Sequence, residues 1–249
     1  MILAPFIEEE MSGMKAFLFD VDDTLYDQLQ PFQRAYLKMF GKPEGVDMER
    51  LFSRSRKRGD EVFEASQLGT ISMEEMYIYR TQKSFADLEL FISPKQALAF
   101  QAYYQEFQQK IFLSEECRSM LKDLKDRVRL GIITNGPGAH QRNKVKTLGM
   151  EEWIPDQEVF VSGELSVAKP DPGIFEHARE QMRLSREECY YIGDSYENDV
   201  CGAVGAGWKC VWFNRRQKPE GAIKPDYMAD TEGELHRLLV KLAACGENG

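Results

Sequence analysis

The stretch Phe17-Leu18-Phe19-Asp20-Val21-Asp22-Asp23-Thr24-Leu25 decides how the rest of the chain is read. Three large apolar residues in succession predict a strand buried on both faces, and the run stops abruptly at a carboxylate. Side chains alternate along an extended chain, so Asp20 and Asp22 share one side at the C-terminal tip of that strand. In open α/β sheets this is the edge where ligands bind. Two carboxylates there can hold a hard cation, or divide the work of nucleophile and general acid/base. The competing reading is an acidic turn, since Asp and Thr are ordinary turn and N-cap residues. The remaining strand ends have to decide between them.

From Ser114 onward, strand and helix patterns alternate. Ser114 is the N-cap of a helix beginning at Glu115, and Val128 to Thr134 reads as a buried strand. Helices follow at Gly138 to Leu148, Asp171 to Met182, Asp199 to Ala206 and Thr231 to Ala243. Short strands are predicted at Glu158 to Val161, Tyr190 to Ile192 and Cys210 to Phe213. Repeated strand–helix units predict a parallel sheet covered on both faces. Between Asp27 and Phe112 the period is helical throughout, as in Phe32, Tyr36, Met39 and Phe40, or Phe100, Tyr104, Phe107 and Ile111. The expected fold is therefore α/β, a Rossmann-like parallel sheet core with an inserted all-helical domain. The core takes residues 14–27 and 113–249, the insert 28–112, and residues 1–13 form an N-terminal extension without a role in activity. No internal repeat or low-complexity segment is visible.

Composition narrows the function classes. Of 249 residues, 43% are apolar and 29% charged, an ordinary globular balance. A net charge of -9 argues against a nucleic-acid partner, which calls for excess Lys and Arg. No window approaches the roughly 20 apolar residues of a membrane span, and the N-terminus lacks the pattern of a secretory signal. Cys117, Cys189, Cys201, Cys210 and Cys245 are odd in number and form no C-x-x-C pair. Reduced thiols in a cytoplasmic protein are expected, rather than a disulfide framework or a structural zinc site.

Three further strand ends carry polar groups suited to one task. Thr134-Asn135-Gly136 offers a hydroxyl and a turn whose N–H groups can face an anion. Lys169 stands ahead of a helix start fixed by Pro170 and Pro172, where a lysine can neutralise phosphate charge. Gly193-Asp194 closes a strand, and Asp199 opens the helix after it, a pair able to complete an oxygen-rich magnesium site. Each taken singly is compatible with a turn, a solvated lysine or an acidic helix cap. Their joint occurrence, in this order and at four strand ends, is not.

On these residues the chain resembles the haloacid dehalogenase superfamily of phosphohydrolases. Asp20-Val21-Asp22-Asp23-Thr24 matches its first motif, Thr134 the second, Lys169 the third, and Gly193-Asp194 with Asp199 the fourth. The resemblance covers the α/β portion, and the helical insert stands where that family carries a cap that closes over the site. It implies a Mg²⁺-dependent phosphatase working through an aspartyl-phosphate on a small phosphate ester. Asp20 would be the nucleophile and Asp22 the general acid/base. Mg²⁺ would be held by Asp20, the Asp22 carbonyl and Asp194. Thr134, Asn135 and Lys169 would bind the phosphate, Asp199 would support the metal or Lys169, and Thr24 would orient the first loop. Dehalogenases of the superfamily lack an acid at the position of Asp22, which favours phosphate esters here. A phosphomutase or phosphotransferase keeps the same motifs, and a non-catalytic phospho-ligand binder is the alternative outside enzymology. The motif variants are similar to the nucleotidase and sugar-phosphatase branch, so a nucleoside 5′-monophosphate leads the expected substrates.

Within the insert, Arg50, Arg54, Arg56, Lys57 and Arg58 could steer anions, although such a run is more often a solvated helix face. Phe32, Tyr36 and Phe40 form one stripe, which reads first as core and second as a platform for a base or sugar. His140, His177 and His236 receive no role.

Overall fold

The computed structural model describes residues 13–244. The extension expected at 1–13 falls outside them except for Gly13, and Cys245 falls outside as well. In chain order, β1 (Ala16–Phe19) is followed by α1 (Leu29–Phe40), α2 (Met48–Gln67), α3 (Met73–Ala86) and α4 (Pro94–Gln108). Then come α5 (Glu115–Leu124), β2 (Arg129–Thr134), α6 (Gly138–Thr147), β3 (Val159–Val161) and α7 (Ser162–Leu165). The chain continues through α8 (Pro172–Gln181), β4 (Cys189–Gly193), α9 (Cys201–Gly205), β5 (Lys209–Phe213), β6 (Tyr227–Ala229) and α10 (Glu232–Ala244).

The six strands form one sheet in the order β3-β2-β1-β4-β5-β6, and every neighbouring pair is parallel. This is the α/β, Rossmann-like sheet expected from the sequence. The central strand, β1, pairs Phe19 with Ile132 on one side and with Ile192 on the other. All four of its residues are buried, as a strand covered by helices on both faces requires. One face packs Leu18, Ile133, Tyr191 and Trp212 against Phe175, Ala203 and Trp208. The shared register brings the ends of β1, β2 and β4 level, so Asp20, Thr134 and Asp194 leave the sheet at one edge.

The chain divides into two compact units, residues 1–27 with 112–249 and residues 28–111. The second holds α1 to α4 and no strand. Its helices begin on strong local signals: Asp47 accepts from the Arg50 N–H, and Ser72 with Glu75 and Ser93 with Gln96 form capping boxes. Its core contains Phe32, Tyr36, Leu51, Phe52, Phe85, Phe100 and Tyr104. Phe32 is 1% exposed and meets Phe52, Phe100 and Tyr104 edge to face. The aromatic stripe is therefore core, and Phe32 has no free face for a base or sugar. In the basic run, Arg50, Arg56 and Lys57 are exposed, while Arg58 pairs with Asp87 at 2.7 Å and Glu61 at 2.9 Å.

Two details differ from the sequence reading. The helix expected from Asp199 starts as a wide π-turn over Tyr196–Val200, in which Ser195 O accepts from both Asp199 N and Val200 N. Such turns re-aim side chains where an ordinary turn would not. The edge strand β6 has only three residues, too few to show a period. Cys117, Cys189, Cys201 and Cys210 are free thiols, and among the described residues no helix is long and apolar enough to cross a membrane.

Candidate active site

Lys169 is the hub of the strand-tip edge. It is 5% exposed, and its ammonium donates to Asp20 Oδ1 (2.8 Å), Asp199 Oδ1 (2.8 Å) and the Tyr191 hydroxyl (2.6 Å). Three N–H bonds thus meet three acceptors, as a buried ammonium requires. Tyr191 in turn donates to the Ile133 carbonyl at 2.8 Å. Burial opposes the charge on Lys169, but Asp199 and Asp20 outweigh it and hold its pKa above the usual lysine range. The lysine is also fixed through its backbone. Asn135 Nδ2 donates to Lys169 O (2.8 Å), and Lys169 N donates to Asn135 Oδ1 (2.9 Å). The Asn135 side chain therefore positions Lys169, leaving only its main chain to face an anion. Past Lys169, Asp171 caps α8 through the Gly173 N–H, with Pro172 in the first turn.

Asp199 uses both carboxylate oxygens, one on Lys169 and the other on the Ser195 N–H at 2.8 Å. The close approach depends on Gly193, where a Cβ would lie 2.3 Å from Asp199 Oδ2. Asp194 follows directly. Its carbonyl accepts from Trp212 Nε1 (2.9 Å), and its carboxylate oxygen Oδ2 accepts from Lys218 Nζ (2.9 Å).

The carboxylate oxygens of Asp20, Asp194 and Asp199 come within 4.8 Å of one another, and all three residues are buried. Burial raises the Asp20 pKa; Lys169 pulls it down, and Asp199, Asp22 and Asp194 push it up again. Burial likewise pushes Asp194 up to about 6, against the pull of Lys218. Crowded, desolvated carboxylates of this kind suit a hard divalent cation with oxygen ligands. Asp199 has each oxygen on a protein donor, Lys169 and the Ser195 N–H, while Asp20 meets Lys169 through Oδ1 and Asp194 meets Lys218 through Oδ2.

Asp22 is held separately. Lys144 Nζ lies 2.7 Å from each of its carboxylate oxygens, Tyr26 OH donates to Oδ1 (2.6 Å), and Gln141 Nε2 donates to Oδ2 (3.2 Å). The first loop is further fixed by Arg216, which donates to Asp23 Oδ1 (2.8 Å) and also bonds Asp27. Asp23 takes φ 57°, a left-handed conformation that Asp tolerates better than most residues. The Thr24 hydroxyl, expected to orient this loop, is buried without a protein hydrogen-bond partner, so Tyr26, Lys144 and Arg216 do that work. Thr134 ends β2 and is buried.

Residues 14–207 match the family described as haloacid dehalogenase-like hydrolase. The chain belongs to that family. It is 28% identical over 233 residues to a phosphoserine phosphatase of Thermus thermophilus, covering 83% of this chain and 91% of that protein. It is 34% identical over 126 residues to a pyrimidine 5′-nucleotidase of Escherichia coli, covering 49% of this chain and 55% of the nucleotidase. The fold is shared with a solved L-2-haloacid dehalogenase of Xanthobacter autotrophicus, with TM-score 0.61, 17% identity, and 91% and 98% of the two chains covered. Phosphatase-named relatives of this hydrolase family thus stand beside dehalogenases of the same architecture.

The sequence reading missed Lys144, Gln141, Tyr191, Arg216 and Lys218. None of them left a signal: Gln141 and Lys144 share one face of α6, but that helix is polar on every side and only the contact with Asp22 marks the face.

Proposed function

We propose that this hydrolase is a phosphomonoesterase acting on a small phosphorylated metabolite through a covalent aspartyl-phosphate. The observation carrying this reading is the pair of separately held carboxylates. Asp20 lies buried against Lys169 and beside Asp194, while Asp22, two residues on, sits in its own ring of donors. A nucleophile and an acid need different surroundings, and a pure binder needs neither arrangement. Carbon–halogen hydrolysis has no use for a second carboxylate at the position of Asp22, nor for the acidic cluster at Asp194.

In the first step a carboxylate oxygen of Asp20 bonds to phosphorus and the ester P–O bond breaks. Asp22 gives its proton to the departing oxygen. In the second step Asp22 takes a proton from water as the water oxygen bonds to phosphorus, and the acyl-phosphate P–O bond breaks to free Asp20. Lys169, the Thr134 hydroxyl and the Asn135 N–H stabilise the oxygens of the transferring group, where fixed charge contributes most of the catalysis. Asp20, Asp194 and the Asp22 carbonyl would hold a divalent cation, which when bound would screen the negative charge shared by nucleophile and phosphate.

The test is phosphate release from p-nitrophenyl phosphate, with Mg²⁺ and with EDTA, by wild type and Asp20→Asn. Magnesium-dependent turnover that falls by at least about 1,000-fold in a folded Asp20→Asn protein supports the reading. A mutant that keeps near-normal rates would remove it.

A further inference from the structure

Tyr191 lies in the middle of β4, fully buried, with its ring edge to face against Phe175. Packing accounts for the ring and not for the hydroxyl, because a phenylalanine would fill nearly the same volume and a buried hydroxyl is costly unless bonded. The hydroxyl is bonded on both sides. Its one proton goes to the Ile133 carbonyl at 2.8 Å, and its oxygen accepts from Lys169 Nζ at 2.6 Å. Burial, with Asp199 and Asp20 nearby, holds its pKa well above the usual phenol range, so that proton stays in place. The phenol therefore offers Lys169 only lone pairs, and it is the one neutral acceptor of the three that the ammonium meets.

The three acceptors of Lys169 do not fare alike during phosphoryl transfer. Once a carboxylate oxygen of Asp20 bonds to phosphorus, its charge falls and its hold on the ammonium weakens. Asp199 and Tyr191 are unchanged by the reaction, and both are fixed from behind, Asp199 by the Ser195 N–H and Tyr191 by the Ile133 carbonyl near the end of β2. Two fixed acceptors hold an ammonium in one orientation, with its third N–H on the line to Asp20. A single acceptor lets it pivot. We propose that Tyr191 is a positioning residue that keeps the third N–H of Lys169 aimed at the phosphoryl oxygens while Asp20 is engaged, a role resting on the phosphatase reading above. Its effect belongs to the transition state, since before transfer Asp20 itself still holds Lys169 in place.

The experiment measures kcat and KM for p-nitrophenyl phosphate, and inhibition by orthovanadate, which takes the five-coordinate shape of the transferring group, in wild type, Tyr191→Phe and Phe175→Leu, with unfolding midpoints read alongside. Tyr191→Phe is expected to lose about 10-fold or more in kcat and to bind vanadate weaker by a similar factor, with KM changed by less than about 2-fold. Phe175→Leu, which loosens the packing around the same ring and leaves the hydroxyl, is expected to lower the midpoint at least as far while kcat and vanadate inhibition stay within about 2-fold of wild type. A Tyr191→Phe enzyme with near-normal kcat, or losses in Phe175→Leu that match it, would overturn the role of Tyr191 and leave the phosphatase reading intact. A wild type that releases no phosphate would overturn that reading, and the role with it.

Discussion

The Lys218 ammonium lies 2.9 Å from Asp194 Oδ2, so the chain's own cation rests on a carboxylate suited to an external one. Lys218 comes from the loop after β5 and is 42% exposed, against 12% for Asp194. A half-exposed pair of this kind contributes about 0.5–1 kcal/mol. Removing it should leave Asp194 more available, and Lys218→Met is expected to bind Mg²⁺ about 2- to 5-fold more tightly. Titration calorimetry in the absence of substrate measures this directly. Unchanged or weaker binding would show that Lys218 does not compete with the ion.

Gly193 is required by Asp199 and not by its own backbone angle. A methyl group there would sit 2.3 Å from Asp199 Oδ2, which the Ser195 N–H holds while Lys169 holds Oδ1 of the same carboxylate. Gly193→Ala should destabilise the protein by about 2–3 kcal/mol in denaturant unfolding. In an Asp199→Ala background the same substitution should cost less, because the two nearest atoms, Oδ2 and Cγ, are gone and only the residue 199 Cβ, at 2.7 Å, still crowds it. Additive effects would show that the clash is relieved elsewhere.

His236 joins α10 to α5, with Glu116 at 2.7 Å and Asp123 at 2.9 Å. Partial burial pulls its pKa down, but the two carboxylates outweigh burial and leave it above the ordinary 6.5. A histidine raised on folding adds stability in full below its unfolded pKa, and loses that addition as pH rises through its folded pKa. His236→Gln should therefore lower the unfolding free energy most near pH 5, by no more than about 1 kcal/mol, and scarcely at about pH 9. A deficit that grows with pH would contradict the pairing.

The parts legible in the sequence were those where a polar residue interrupts an apolar run. Asp20, Thr134 and Asp194 announce themselves because each ends a buried strand, and Lys169 because two prolines frame it. The partners of these residues are written in other terms. Tyr191 lies inside a buried strand and shows only as bulk; its hydroxyl matters because Ile133 and Lys169 lie opposite. Lys144 sits on a helix so rich in polar residues that no face stands out, and its burial is imposed by Asp22, far off in sequence. Arg216 and Lys218 belong to a charged loop whose register with Asp23 and Asp194 exists only in three dimensions. Thr24 is the reverse case, a conspicuous hydroxyl for which the fold supplies no partner.

The placement of β1 at the middle of the sheet fixes an order of events during synthesis. Its neighbours begin at Arg129 and Cys189, so the strand that carries Asp20 is made first and gains its second neighbour only after about 170 further residues, the distance from Phe19 to Cys189. Meanwhile the segment from Gln28 to Ile111 emerges with its own caps and its own aromatic core. The helical unit has what it needs to form while the sheet still lacks its centre. The surroundings of Asp20 are thus assembled only when the chain has extended past Gly193, and a product truncated before that point carries Asp20 without its neighbours Asp194 and Asp199.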